Sequence, residues 1–174
     1  MYLKQILIHG FKSFAEKTVL EFLPPDPAGH LPIIGIVGPN GSGKSNTADA
    51  VRWVLGEQSV KAVRGKKSED VIFAGSGRKA RSSVAQVELT LINDDGRIPI
   101  DTQEVAIARR LYRDGQSEYL LNNRATRLMD IQLLLAKAAF GKEGYSVISQ
   151  GQIDQILTAS AEERKTFFDE ATGV

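Results

Sequence analysis

Hydrophobic positions change period along the chain, and each change marks a different element. Residues 2 to 8 and 18 to 22 are short apolar stretches separated by Gly10-Phe11-Lys12-Ser13-Phe14, and both predict strands. Pro24-Pro25-Asp26-Pro27-Ala28-Gly29 must then be a loop, because proline neither donates to a ladder nor continues one. The nearly unbroken run Ile33-Ile34-Gly35-Ile36-Val37 predicts a strand buried on both faces. After Gly38 to Ser45, a predicted helix places Ala48, Val51 and Leu55 on one face and meets its stop at Gly56.

The middle of the chain alternates. Ala85, Val87, Leu89 and Leu91 interleave with Gln86, Glu88 and Thr90, the pattern of a half-buried antiparallel strand. Asn93-Asp94-Asp95-Gly96 is turn chemistry, Val105 and Ile107 mark another strand, and Asp114-Gly115 predicts a hairpin into Ser117 to Leu121. From Thr126 the period is helical again, with Leu128, Ile131, Leu135 and Ala138 on one face and Gly141 beyond the end. Ser160-Ala161-Glu162-Glu163 has the form of a capping box opening one last helix. The fold class is therefore α/β with a meander-like antiparallel section.

Composition narrows the chemistry more than the fold. A chain of 174 residues, 42% hydrophobic and 25% charged, can build a core, which excludes global disorder. A net charge of +1 names no partner. The absence of cysteine excludes disulfides, thiolate metal sites and cysteine nucleophiles, and His9 and His30 are too few for a His-rich metal site. No apolar run approaches the ~18 residues of a membrane helix, and the first residues lack the pattern of a secretory signal. The expectation is a soluble cytoplasmic protein with no membrane partner.

Gly38-Pro39-Asn40-Gly41-Ser42-Gly43-Lys44-Ser45 matches the phosphate-loop pattern G-x-x-x-x-G-K-[ST] in full, between a predicted strand and a predicted helix. Chance would supply the four fixed positions in roughly 1% of chains this long. The glycines let the backbone turn its N–H groups onto phosphates, and the helix adds the positive end of its dipole. Lys44 supplies a point charge for the β- and γ-phosphates, and the Ser45 hydroxyl is placed to ligate Mg²⁺. Asn-Lys-x-Asp is absent, and Asp26-Pro27-Ala28-Gly29 precedes the loop inside a proline-rich turn, so ATP is favoured over GTP. A hydrolase also needs an apolar strand ending in an acid. Phe167-Phe168-Asp169-Glu170 falls within the helix capped at Ser160 and reads more simply as an amphipathic turn. The chain carries a phosphate cradle without the rest of an ATPase.

The ordered set of motifs around that cradle is specific. Gly10-Phe11-Lys12-Ser13-Phe14, Gly38 to Asn46, and Trp53-Val54-Leu55-Gly56-Glu57-Gln58-Ser59 are followed by Arg64-Gly65 and Asp70-Val71-Ile72-Phe73-Ala74-Gly75-Ser76. Tyr119-Leu120-Leu121-Asn122 and Tyr145-Ser146-Val147-Ile148-Ser149-Gln150-Gly151-Gln152-Ile153 complete it. Together they resemble the N-terminal head segment of the SMC family, most closely its bacterial chromosome-partition type.

The resemblance implies the N-terminal lobe of an ABC-type P-loop ATPase head over residues 1–160, a mixed sheet with an antiparallel section and flanking helices. It implies the start of a coiled-coil helix at 161–174. ATP and Mg²⁺ are the implied cofactors, and the cradle extends to Asn46. Gln150 matches the glutamine that ligates Mg²⁺ and senses the γ-phosphate, Arg64 matches an arginine finger, and Lys12 and Ser13 match the loop that approaches the nucleotide. Phe11, Phe14 and Trp53 read as packing residues, and His9 as a strand residue without chemistry.

The implied partners are a C-terminal head lobe carrying the signature motif and catalytic acids, a second head in a homodimer, accessory segregation and condensation subunits, and double-stranded DNA of the nucleoid. The function implied is ATP-driven head engagement in chromosome condensation and segregation, with this chain alone inactive. Competing readings are a split-head DNA-repair ATPase, a self-contained small-molecule kinase and a DNA-binding module with a vestigial loop.

Charge runs mark candidate DNA contacts. Residues 61 to 81 carry seven basic residues, among them Lys66, Lys67, Arg78 and Lys79, against Glu69 and Asp70. Residues 105 to 127 carry Arg109, Arg110, Arg113, Arg124 and Arg127 against Asp114 and Glu118. Such patches contact phosphates without reading sequence; a solvated surface is the competing reading. The Pro24 to Pro32 connection is longer and richer in proline than is usual in the family, and Thr172 stands where alanine is usual.

Overall fold

A computed structural model describes residues 1–59, 63–138, 157–160, 162 and 165. The strands are β1 (Tyr2–His9), β2 (Thr18–Glu21), β3 (Val84–Ile92), β4 (Glu104–Tyr112), β5 (Ser117–Leu121) and β6 (Arg124–Thr126). They form one antiparallel sheet in the order β2-β1-β3-β4-β5-β6. Helix α1 (Lys44–Val54) packs on β3 and β4, a 3₁₀ turn covers Ser68–Val71, and α2 is Leu128–Lys137.

The register explains how the alternating sequence becomes a core. Ile6, Leu89, Ile107 and Leu121 lie directly opposite one another across β1, β3, β4 and β5. The next row is Ile8, Val87, Arg109 and Tyr119. Cross-strand neighbours of this kind are the unit of sheet stabilisation. Ile6, Ile8, Val87, Leu89 and Ile107 are buried in one cluster with Phe11, Ala50, Trp53 and Val54. The Phe11 and Trp53 rings meet at 5.2 Å between centroids, tying the end of β1 to α1.

Helix α1 stops at a glycine, as the sequence indicates. Gly56 takes φ 105 and its N–H reaches the Trp53 carbonyl at 3.3 Å, while the Glu57 N–H reaches Arg52 O at 3.1 Å. This paired closure satisfies two end carbonyls, and the positive φ admits glycine without steric cost. The buried face matches the expected one only in part, with Leu55 buried and Val51 packed against the core. Thr47, Asp49, Ala50, Trp53 and Val54 face inward and Ala48 faces solvent. The large indole and the buried carboxylate set the helix's rotation rather than the small Ala48.

A second difference concerns residues 33–37. Instead of a doubly buried strand, the segment has no regular structure, and Ile33 and Val37 are 102% and 90% exposed. A strand of this composition is buried by neighbours on both sides. None of the six strands hydrogen-bonds to it, since the sheet ends at β2 on one edge and β6 on the other. The sequence also left β6 unpredicted. Asn122 and Asn123, both at positive φ, turn the chain back so that Leu121 pairs with Arg124; paired αL residues make the tight turn that suits a hairpin. The boundary at residue 160, Gly141 and Phe167 to Glu170 lie at or beyond the edge of the described residues.

Candidate functional site

The phosphate loop leads directly into α1. Gly43 is the helix N-cap at φ 95, with no side-chain cap, and the first turn holds no acidic residue. The leading N–H groups of the helix are therefore left without the usual side-chain acceptor. The loop is also tight where a ligand would need bare backbone. A Cβ on Gly38 would lie 2.7 Å from Ser42 Oγ, and one on Gly43 would press on Ser13 Oγ at 3.1 Å. Lys44 folds over the same loop, its Nζ donating to Gly38 O at 2.6 Å and Pro39 O at 2.8 Å. The Ser42 N–H closes the turn on Pro39 O at 3.2 Å.

Around this loop the structure assembles residues that are far apart in sequence. Lys12 and Ser13 come from the β1–β2 connection, where Phe11 and Phe14 exchange backbone hydrogen bonds. Asn46 Nδ2 donates to Ser13 Oγ at 2.8 Å, and Arg64 Nη2 donates to Asn46 Oδ1 at 3.0 Å. Lys12 Nζ and Arg64 both reach Asp49, a residue only 1% exposed. Lys12, Ser13, Lys44, Ser45, Asn46 and Arg64 thus surround one helix N-terminus.

Asp49 is the site residue that sequence reasoning missed. A fully buried carboxylate is rare without a cationic partner. The available signal was its place one turn beyond Ser45, with Arg52 three residues on and Trp53 four. Gln150 lies outside the described residues.

The basic positions divide into engaged and exposed ones. Arg109 sits in the apolar row facing α1 and donates to Trp53 O and Glu57 O, both at 2.9 Å. Its guanidinium lies 4.5 Å from the Trp53 ring and 4.9 Å from the Tyr119 ring. Burial lowers the Arg109 pKa and raises that of the Tyr119 hydroxyl. Arg113 donates to Ser82 O at 2.6 Å and Phe73 O at 3.1 Å, and Arg110 reaches Gln86 and Glu118.

Lys66, Lys67, Arg78, Lys79 and Arg127 are exposed, although Lys79 Nζ pairs with Glu16 at 2.8 Å. Arg127 precedes α2, whose Leu128 lies against Gly56. It therefore sits at the far end of the roughly 16 Å helix from the phosphate loop. Arg127 is thus not part of one patch with the cradle. Asp26-Pro27-Ala28-Gly29 closes on His30 through Asp26 Oδ1, which accepts the His30 N–H at 2.8 Å, as a self-contained turn. Among the described residues no group of His, Cys, Asp or Glu is clustered to hold a metal alone, and no helix is long and apolar enough to cross a membrane.

The G-x-x-x-x-G-K-S loop running into the head of α1 is the signature of a P-loop protein. The chain belongs to the RecF/RecN/SMC N terminal domain family, whose model matches residues 2–160. It is 51% identical over 174 residues to the chromosome partition protein Smc of Bacillus subtilis, covering all of this chain and 14% of that protein. The chain therefore spans about one-seventh of the length of such relatives. A solved Smc head bound to the C-winged helix domain of ScpA superposes with a TM-score of 0.90 at 38% identity, covering 100% of this chain and 52% of that one. A chain from work on ATP-driven dimerization and DNA-stimulated activation of SMC ATPases gives 0.87 at 37% identity, covering 98% of this chain and 99% of that one. The fold is that of the N-terminal lobe of an SMC head of the ABC type, a sheet with an antiparallel section and flanking helices.

Proposed function

We propose that this chain is the ATP-binding lobe of an SMC-type head and serves chromosome organisation as part of a longer protein. The observation that carries the reading is the uncapped, acid-free N-terminus of α1 under a loop onto which Lys44 is turned. The backbone N–H groups of that turn would receive the β-phosphate, and Lys44 would exchange its two loop carbonyls for phosphate oxygens. Exposed Ser45 would hold Mg²⁺ together with Gln150; the ion neutralises charge between the β- and γ-phosphates. Residues Gly38 to Asn46, with Lys12 and Ser13, form the binding set. Arg64 would stabilise the charge that develops during transfer.

Hydrolysis then requires a C-terminal lobe and a second head. The exposed apolar run at 33–37 supports that reading, because its unpaired backbone and side chains suit a strand completed by another lobe. Engagement of two heads, accessory subunits and duplex DNA are the partners we infer, with Lys66, Lys67, Arg78, Lys79 and Arg127 offered to DNA at the nucleoid. The relatives near 50% identity carry the partition name, which favours this reading over a split-head repair ATPase. A small-molecule kinase would have to turn over without any partner.

The test is titration of MgATP into the chain and into Lys44→Ala. Binding that Lys44→Ala loses by at least about tenfold is the expected result, and equal affinity in the two proteins would overturn the nucleotide reading.

A further inference from the structure

Asp49 has no part in the reading above, yet it is the most deeply buried charge among the described residues. It lies one helical turn beyond Ser45, 1% exposed. Lys12 Nζ donates to it, Arg52 Nη2 lies 3.5 Å from Oδ1, and Arg64 grips Oδ2 from two nitrogens, Nε at 2.9 Å and Nη2 at 2.5 Å. The Asp49 carboxylate is thus shared between Lys12 and Arg64, with Arg52 at the limit of its reach, close to the phosphate loop.

Arg64 is held in an unusual way. Its backbone is left-handed at φ 55, and the carbonyl just before it, Val63 O, accepts a hydrogen bond from Lys12 Nζ. The side chain is 54% exposed although its anchor is buried. Nε and Nη2 are spent on Asp49 and Asn46, while Nη1 has no partner among the described residues. Asn46 passes the chain of contacts to Ser13, which abuts Gly43. One edge of the guanidinium is clamped and the other is presented outward, next to the loop.

We propose that Asp49 is a positioning residue that preorganises Arg64 for the nucleotide; the proposal rests on the nucleotide reading of the loop. A free arginine would lose much of its rotamer freedom on reaching a ligand. Asp49 has removed that freedom beforehand, so less is lost on binding. Geometry and simple electrostatics then make opposite predictions for Asp49→Asn. The substitution adds net positive charge, which by charge alone would tighten binding of ATP. Loss of the clamp weakens it.

The experiment is calorimetric titration of MgATP into the unaltered chain, Asp49→Asn, Arg64→Ala, the double variant and Arg64→Lys, with circular dichroism to verify folding. Asp49→Asn is expected to weaken binding roughly fivefold to tenfold, and to add nothing in the Arg64→Ala background. Unchanged or tighter binding by Asp49→Asn, or an equal loss in both backgrounds, would overturn the proposal. Arg64→Lys keeps the charge but cannot be held along one edge while presenting the other. It is expected to bind as weakly as Arg64→Ala, and affinity equal to the unaltered chain would also overturn the proposal. This arm stands even if Asp49→Asn does not fold, since Arg64 is exposed. Lys44→Ala separates the two failures. If it binds ATP as tightly as the unaltered chain, the nucleotide reading itself falls; if it loses binding while the Asp49 arms fail, only the positioning role falls.

Discussion

Two regions of this molecule are rich in apolar residues and opposite in structure. In β1, β3 and β4, Ile8, Val87 and Ile107 are each 0% exposed, while Ile33 and Val37, on the approach to the phosphate loop, are almost wholly in water. The difference lies in what each region needs from its surroundings. A strand with alternating polarity needs one covered face, and α1 with its packed neighbours covers it. A run apolar at nearly every position needs cover on both faces and a strand along each edge, and the six-stranded sheet provides neither. Hydrophobicity along a chain records the burial it is built for, including burial by parts that lie elsewhere.

The largest effect that would break this comparison is on stability. Ile107→Ala should cost about 3 kcal/mol, the transfer loss plus an unfilled cavity. Ile33→Ser in this chain should change stability by less than about 0.5 kcal/mol. Urea denaturation of both variants measures the contrast. Comparable losses would mean that residues 33–37 pack in solution. In a protein extended by the remaining lobe, we expect Ile33→Ser to become as costly as the core substitution.

An intermediate effect sharpens the boundary between the sheet and its surface. Arg109 and Arg124 belong to one basic run in sequence, but Arg109 is enclosed between Trp53 and Tyr119 and closes the end of α1. Arg109→Met should cost about 2 kcal/mol, because the carbonyls of Trp53 and Glu57 lose a charged donor and two rings lose a cation. Arg124→Met should be neutral within about 0.5 kcal/mol. Thermal melts of the pair are the check. Equal stability would show that the ring stack contributes nothing beyond burial.

These residues also show how much of the molecule was legible beforehand. The sheet was, because a period of two leaves a local trace that register then extends across strands. The phosphate loop was, because glycine at fixed spacing serves a backbone conformation that other residues resist. Asp49 was not, because its meaning depends on Lys12 and Arg64, which come from 37 residues before it and 15 after it. Arg109 was misassigned to a surface for a similar reason. A charge count over residues 105 to 127 cannot see that β4 turns this one position toward α1 and Arg110 to the opposite face, where it reaches Gln86 and Glu118. The rotation of α1 was missed because Trp53 and Ala48 both fit a helical period, and only packing decides between them.

The smallest effect concerns Asp70, which shapes the turn on the way from α1 to β3. Its Oδ2 accepts the N–H groups of Lys66 at 2.7 Å and Lys67 at 2.9 Å, opening the 3₁₀ turn that delivers Val71 O to the Lys12 N–H. The Lys67 and Lys66 backbone bonds lower its pKa below the usual aspartate value. A carboxylate held lower in the folded state contributes stability above its unfolded pKa, near 4, and loses it as pH falls through the folded value. Asp70→Asn should therefore lower the melting temperature at pH 7 and converge with the unaltered chain once the pH drops well below about 4. The shift should be under about 2 °C, since water competes for a fully exposed acceptor. A difference that stays constant from pH 7 to pH 3 would assign the turn to amide geometry rather than charge. The Lys12 end of the site would then be held independently of pH, as the buried sheet is.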